Sequence, residues 1–459
     1  MKILFVGNQG NTGYRIVKWL NQAGVDATLL FPYNFNHSRS FPEWEDPQLK
    51  GRYPSWILTY RETRWPYLFL NPKIKKMARQ YDLILTTGFL VLPVLRVNKP
   101  VVFLPAGRDL SQMPFWSGKL VARLHGLLYS RRIHKVRAIL SEQEDCVWSA
   151  RLLGVGDRVY RFPFLTDMDG IEQGINEDLR QQLLEKYRDY ECIFFNPTRK
   201  NMDPGRMDYK GVDKLLMAYR RFMDLHPDKP VVMVSGLHGL HPEAFREKVR
   251  QLGLESYMEY TGHLTLPDLH AWLSLEKVVV FDQFSYNLNA LGGLQREAMA
   301  LGRLVVSSTD IRSREFVKAY GAGCPLIPAF DQGEIVAAME KVAYNGSLEK
   351  TVDTEAGPDT TVGPDREGGA ETHSGPEAEE RFSDINANRD SNAMQDRETL
   401  QDSNQPLTGP GKALSNNKRP LPDSARIRHW LRQHVHYENR INELIELLHQ
   451  VYQKSHPLK

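Results

Sequence analysis

Short apolar runs separated by amphipathic stretches set the pattern of the first third of the chain. Ile3–Val6 reads as a buried strand. Tyr14–Ala23 repeats apolar residues at helical spacing and is closed by Gly24, a suitable C-terminal cap. Ala27–Phe31 predicts a second strand, and Leu83–Leu85, Val101–Leu104 and Ala138–Leu140 follow, each after a helical or basic stretch. Strands alternating with helices imply a parallel sheet covered on both faces. A second series begins near Tyr190. Its strands are expected at Cys192–Phe195, Val231–Val234, Met258–Tyr260, Val278–Phe281 and Leu304–Ser307, with helices such as Val212–Leu225 and Pro242–Leu252 between them. The polar, glycine-bearing stretch Asp167–Glu177 is the expected linker.

From about Tyr344 to Ser424 the pattern stops. Gly, Pro, Asp, Glu, Ser, Thr and Asn dominate, and no apolar period survives. Such a segment cannot bury enough apolar area to offset its ordering entropy, so it reads as disordered. Ile427, Leu431, Val435, Ile441, Leu444, Ile445, Leu448 and Tyr452 then recur at helical spacing. The expected organisation is a Rossmann-like domain over residues 1–168, a second over 180–345, a disordered acidic insertion over 346–424, and a C-terminal helix over 425–459 that packs on the folded body.

Composition adds charge to this picture. Of 459 residues, 41% are apolar, enough for the cores of two domains. No apolar run is long enough to span a bilayer, and Met1-Lys2-Ile3-Leu4-Phe5-Val6-Gly7 is broken by polar residues too soon for a signal peptide. Cys146, Cys192 and Cys324 share no metal spacing and read as structural thiols in a reducing compartment. Residues 348–424 hold 16 acidic and 8 basic side chains, so the rest of the chain carries 51 basic against 40 acidic, a balance of +11. A basic body suits phosphate-bearing ligands or an anionic surface, and charge alone chooses neither.

Candidate chemistry sits where strands end. Gly7-Asn8-Gln9-Gly10-Asn11-Thr12-Gly13 joins the first strand to the first helix, so Gly10, Asn11 and Gly13 are candidates for a phosphate or acceptor loop. A tight turn explains them equally well. Strand two ends Phe31-Pro32-Tyr33-Asn34, without the carboxylate that a nicotinamide dinucleotide needs. Gly107-Arg108-Asp109 follows Val101–Leu104. Gly107 and Asp109 either face a ligand or form a turn with a local ion pair. Arg199 leaves the end of the expected strand Cys192–Phe195 through Asn196-Pro197-Thr198, and Lys210-Gly211 opens the next helix. Two fixed cations beside a helix N-terminus can stabilise charge on departing phosphates; the alternative is two surface cations on a loop. Asn289, Gly292 and Gly293 precede a helix expected to begin near Leu294, with Glu297 in its first turn; it either accepts hydrogen bonds from ribose hydroxyls or, the better reading of this stretch taken alone, simply favours the helix dipole. Asp167-Met168-Asp169 lies in the linker, so no metal site is expected there, and His238 and His241 read as surface residues in a turn-rich loop. Lys119–Arg137, with Phe115 and Trp116 beside it, is either a sheet-covering helix or an amphipathic surface for an anionic bilayer.

Taken together these motifs resemble the family-4-type glycosyltransferases of the GT-B fold. The resemblance extends over Met1–Val342, resumes in the C-terminal helix, and is strongest from Ile193 to Ser308. Arg199 with Lys210-Gly211-Val212-Asp213-Lys214-Leu215-Leu216 is similar to the family's donor-phosphate motif. Val231–Gly236 and Tyr260-Thr261-Gly262-His263-Leu264 resemble the strand and turn flanking the donor base, which makes Gly236, Gly262 and His263 donor-binding candidates. Glu297-Ala298-Met299-Ala300-Leu301-Gly302 resembles the helix whose Glu holds the donor ribose. The family pairs that Glu with an earlier one, whose place here is taken by Asn289; an Asn can hydrogen-bond sugar hydroxyls but carries no charge. The family's N-domain histidine has no counterpart at Ala106-Gly107-Arg108-Asp109. The resemblance implies two α/β, Rossmann-like domains facing across a cleft. It also implies sugar transfer from a nucleotide-diphosphate sugar to a glycan or lipid-linked acceptor hydroxyl, with retention and without metal or other cofactor. Arg199, Lys210 and Asn289 would take part in the chemistry, in a cytoplasmic protein peripheral to the inner membrane face and with no nucleic-acid partner. The alternatives are a binding protein without transfer activity and a nucleotide-sugar epimerase.

Overall fold

A computed structural model of the chain describes residues 1–34, 41–62, 70–115, 120–204, 209–285, 290–345 and 422–455. Two parallel sheets organise them. In spatial order the first holds Ile57–Tyr60, Ala27–Pro32, Ile3–Val6, Leu83–Thr87, Val101–Leu104, Ala138–Leu140 and Val159–Tyr160. The second holds Met258–Thr261, Val231–Gly236, Cys192–Asn196, Val278–Phe281, Val305–Ser307 and Ile327–Pro328. Every pairing is parallel. Helices cover both faces, so the inner strands are buried on both sides and read as uninterrupted apolar runs. The strands absent from the sequence reading are Ile57–Tyr60, Val159–Tyr160 and Ile327–Pro328; each lies at a sheet edge and two are only two residues long.

Side-chain alternation splits each sheet between two cores. Around the first sheet, Leu4, Val6, Leu30, Ile84 and Phe103 face one way. Ile3, Phe5, Leu29, Leu85 and Val102 face the other, where Ile441, Leu444, Leu448 and Val451 close over them. Around the second, Phe194, Met233, Val279 and Phe281 pack on Leu215, Tyr219 and Phe222 of the helix Val212–Leu225. Ile193, Phe195, Val232 and Val280 pack on the opposite face with Ile427, Trp430 and Leu431.

The C-terminal region is two helices, Ser424–His434 and Tyr437–Ser455, rather than one. The first packs on the second sheet and the second on the first. The break at Val435-His436 is held from outside: the Thr166 N–H donates to the Val435 carbonyl, and the Tyr437 N–H to the Thr166 carbonyl, both at 3.1 Å. The expected linker is also more ordered than its composition suggested. Asp167 caps the helix Met168–Gln173 by accepting from the Gly170 N–H, and Met168 and Ile171 are buried in the second domain's core. Both sheets and both terminal helices belong to one compact unit, Met1–Lys350 with Leu421–Lys459. The proposed insertion lies almost wholly outside the described residues.

Trp430 anchors the tail on the second domain together with Ile427 and Leu431. It is 6% exposed, and its indole N–H donates to the Ala322 carbonyl at 2.9 Å. Trp430→Ala should lower the unfolding free energy by about 3–5 kcal/mol in denaturant melts. An unchanged midpoint would show that the tail is held without Trp430.

Candidate functional site

The C-terminal ends of both sheets face one another across a cavity of about 600 Å³. That volume lies within the usual range for small-molecule sites, roughly 300–1,000 Å³. Its walls bring together Gly10, Asn11, Arg199, Lys210, His263, Gly292, Gly293 and Glu297 from the residues singled out in the sequence.

The first domain contributes a stiff loop. The Asn8 amide donates to Asn11 Oδ1 at 2.7 Å, and Asn8 Oδ1 accepts from the Tyr14 N–H at 2.8 Å. Asn11 sits in the left-handed region at φ 59° and donates from Nδ2 to the Phe41 carbonyl. Gly10 and Asn11 thereby reach the cavity at the start of the helix Thr12–Gln22. Gly13 serves packing instead, since a Cβ there would lie 2.4 Å from the Gly7 carbonyl oxygen.

From the second domain, Pro197, Thr198 and Arg199 leave the strand Cys192–Asn196 directly into the cavity wall. Lys210 is fixed through its backbone: its carbonyl accepts from the Phe284 N–H at 2.8 Å. Gly211, at φ 68°, permits that approach, because a Cβ would meet the Phe284 carbonyl carbon at 2.6 Å. Beside them Asp282 is buried. Burial raises its carboxyl above the usual range, opposed by Lys210, a hydrogen bond from Gln295, and Lys200.

The helix Gly293–Ala300 is set by three consecutive side chains. Gln295 is fully buried, donates to Asp282 Oδ2 at 3.2 Å and Ser307 Oγ at 2.9 Å, and accepts from the Gly292 N–H at 3.1 Å. Arg296 reaches the first domain, where it meets Glu142 Oε1 at 3.3 Å, and it donates to the Leu291 carbonyl at 2.6 Å. Glu297 turns into the cavity. It lies beyond the first turn, not within it as the sequence reading had it, because the helix starts at Gly293. The N-terminal amides of this helix give the cavity wall a positive end.

Arg15, Glu45, Trp44 and His238 also line the cavity, and the sequence reading did not single them out as site residues. Arg15 crosses from the first domain with its guanidinium 2.8 Å from Glu45 and 3.7 Å from Glu297. Burial disfavours its charge, but Glu45 and Glu297 outweigh that and hold it firmly protonated. The Trp44 ring stands edge-on to His263 at 5.6 Å, and His263 lies against His238 at 5.3 Å. His238 is therefore a cavity residue, not the surface residue expected. These assignments depend on which faces of two domains meet, which no local pattern encodes.

Several candidates lie elsewhere. Gly236 ends its strand against Pro197, whose carbonyl oxygen would lie 2.8 Å from an added Cβ, and Gly262 has open space around it; neither lines the cavity. Gly107 and Asp109 also stand back from it. Asp109 is buried and accepts from the Ala106 N–H at 3.0 Å. Asn289 lies outside the described residues. Asp169 pairs with Arg432 at 2.7 Å. Asp169, His436 and Glu438 group closely enough to offer atoms to a cation. The Met168 N–H donates to His436 Nδ1, and Nε2 lies 3.4 Å from Glu438. That trio lies away from the cavity wall.

The same arrangement of two sheets recurs in solved structures. The Anabaena protein HepE, in complex with UDP-glucose, is 16% identical, with a TM-score of 0.51 over 76% of this chain and 94% of its own. A glycosyltransferase from Rickettsia africae is 11% identical, with a TM-score of 0.55 over 98% of both chains. Sucrose-phosphate synthase from Thermosynechococcus elongatus is 15% identical, with a TM-score of 0.50 over 76% of this chain and 92% of its own. The fold is GT-B. Residues 203–345 of this GT-B chain match the family described as Glycosyl transferases group 1, a span that includes Lys210, His238, His263 and the helix bearing Glu297. A search of curated proteins finds no match.

Asp109 gives the first domain a pH signature. Burial raises its carboxyl from 3.8 to about 6, with backbone N–H donors opposing the rise. Below the lower value it is neutral in both states; above the upper one it is ionised in both, and the folded state bears the burial penalty. Its contribution therefore makes stability fall as pH rises from 3.8 to about 6. Asp109→Asn should flatten that decline in denaturant melts across this window. A slope identical to the parent protein's would show that Asp109 is ionised throughout.

Proposed function

We propose that this protein transfers a sugar from a nucleoside-diphosphate donor to an acceptor hydroxyl in the cleft. The observation that carries this reading is the shared cavity wall of Arg199, Lys210, the Gly292-Gly293 helix start and Glu297. The two cations and the helix N-terminus would receive the donor diphosphate and stabilise charge as it departs. Glu297 would accept hydrogen bonds from the ribose hydroxyls. An oxygen of the leaving phosphate can take the acceptor's proton on the face it leaves, which gives retention without a side-chain nucleophile or metal. Gly10 and Asn11 would border the acceptor side, and Asn289 would contact the donor sugar through neutral hydrogen bonds.

Arg199→Ala and Lys210→Ala should each lower turnover at least about tenfold, corresponding to one lost charge-stabilising contact near 1.4 kcal/mol. Release of nucleoside diphosphate from a panel of nucleotide-sugars measures this. A donor returned as its own epimer would instead identify an epimerase, and binding without release a non-catalytic protein.

We also propose that the protein works at the cytoplasmic face of an anionic membrane, on a glycan or lipid-linked acceptor. Among the described residues, no helix is long and apolar enough to cross a membrane. The surface that supports peripheral binding surrounds the helix Leu120–Ile133. Phe115 and Leu124 are 44% and 46% exposed, Leu127 is similarly exposed, and Arg123, Arg131, Lys135 and Arg137 lie exposed nearby. Gly126 lets the helix approach, since a Cβ there would lie 2.8 Å from the Pro114 carbonyl oxygen. Trp116 and Lys119 lie outside the described residues. Each cation near an anionic leaflet contributes roughly 1 kcal/mol, and salt screens it. The protein should therefore co-sediment with anionic vesicles at low salt and be released at high salt. Equal recovery in the supernatant with neutral and anionic vesicles would reduce the stretch to a solvated helix face.

A further inference from the structure

Lys200 has no exposed surface. It follows Arg199, yet its side chain turns away from the cavity wall. Its ammonium donates to the Asn196 carbonyl at 3.1 Å and to Asn196 Oδ1, and stands 4.8 Å from the centre of the Phe245 ring. Among the described residues it forms no ion pair. A cation held away from water is strongly disfavoured unless nearby negative charge offsets the cost, and Asp282 supplies part of that here. A residue that only filled space there would be better uncharged.

The backbone of Lys200 gives its position meaning. Its N–H donates to the His238 carbonyl at 2.7 Å, and its carbonyl accepts from the N–H groups of Leu240 and His241 at 3.1 and 3.0 Å. Gly239 must be glycine-small here, because a Cβ would lie 2.7 Å from the Lys200 nitrogen and oxygen. Lys200 thus ties the loop presenting Arg199 to the loop presenting His238, both of which line the cavity. Asn196, which receives the ammonium, also donates to the Phe281 carbonyl beside Asp282 at 2.6 Å.

We propose that Lys200 is a buried counter-cation for the donor diphosphate, fixed behind Arg199, so that donor binding and protonation of Lys200 are coupled. The proposal rests on the nucleotide-sugar reading of the cleft. Lys200 touches no substrate; it is a positioning residue that acts through the field it adds and the loop it holds. Charged and titratable groups on the surrounding elements are Arg199, Lys210, Asp282, His238 and His241, with Glu243, Arg246, Glu247, Lys248 and Arg250 on the helix Pro242–Gln251 that carries Phe245. Of these, Asp282 favours the charge on Lys200. Burial lowers the ammonium to about 7, with Asp282 pulling it upward. An arriving diphosphate adds negative charge to that of Asp282, and shifts Lys200 toward its protonated form.

UDP-glucose is a suitable probe because its diphosphate keeps a constant charge across the range concerned. Calorimetric titration of the full chain should show binding that weakens about tenfold between about pH 6 and about pH 9, as one protonation is lost. In the middle of that range, at about pH 7.5, two buffers of different ionisation enthalpy should reveal proton uptake on binding. Lys200→Met keeps the length and the packing on Phe245 while removing the charge. It should melt no lower than the parent protein, bind near pH 6 as weakly as the parent does near pH 9, and lose the proton uptake. Parent-like affinity of Lys200→Met near pH 6 would overturn the proposal. If that variant folds poorly, the parent protein decides alone: donor binding without proton uptake overturns it equally. A parent protein that binds no nucleotide-sugar at any pH would remove the reading of the cleft and this inference with it.

Discussion

One short helix fixes the geometry on which the cleft depends. In Gly293–Ala300, Gln295 is bonded into its own sheet, Arg296 to Glu142 of the other domain, and Glu297 faces the cavity. Successive helical residues are about 100° apart, so anchoring two of them determines where the third points. Glu142 is itself fixed, accepting from the Phe164 N–H at 2.7 Å. Removing either partner of the Arg296–Glu142 pair would leave a buried charge uncompensated and free the helix to rotate.

The rest of the site follows the same division of labour. Sheets buried on both faces provide rigid strand ends, and loops at those ends carry the polar groups. Glycine is required only where backbones meet closely, as at Gly211 beside Phe284 and Gly239 beside Lys200. The result is a cleft in which opposite charges face one another across the domain boundary: Arg15 from the first domain beside Glu297 from the second, and Glu142 from the first beside Arg296 from the second. Away from bulk water such pairs fix relative orientation more firmly than they would on an open surface.

The inner strands were legible because burial on both faces leaves continuous apolar runs. Ile57–Tyr60 was not, being an edge strand with Leu58 and Thr59 only partly buried. The tail's apolar spacing runs on through Val435 and His436, so periodicity alone could not show that Thr166 breaks it into two helices. Arg199, Lys210 and Glu297 could be found because each follows a strand in a fixed order. Arg15 sits on the polar side of an amphipathic helix and reads as solvated until the second domain is placed opposite. Lys200 looks like one more loop cation, because burial is a property of the assembled fold and not of its neighbours in sequence.

The crossing tail has a consequence for biosynthesis. Ile3, Phe5 and Leu29 precede the second domain in the chain, but Ile441, Leu444 and Leu448, which help to cover the same face, follow it. The growing polypeptide therefore carries an oily surface only partly covered, by the helix Thr12–Gln22, throughout translation of the second domain, at the stage when partly built chains are most prone to stick together. The two halves of the molecule mature together rather than in turn, and a ribosome that stops short of the tail leaves its earliest product unfinished.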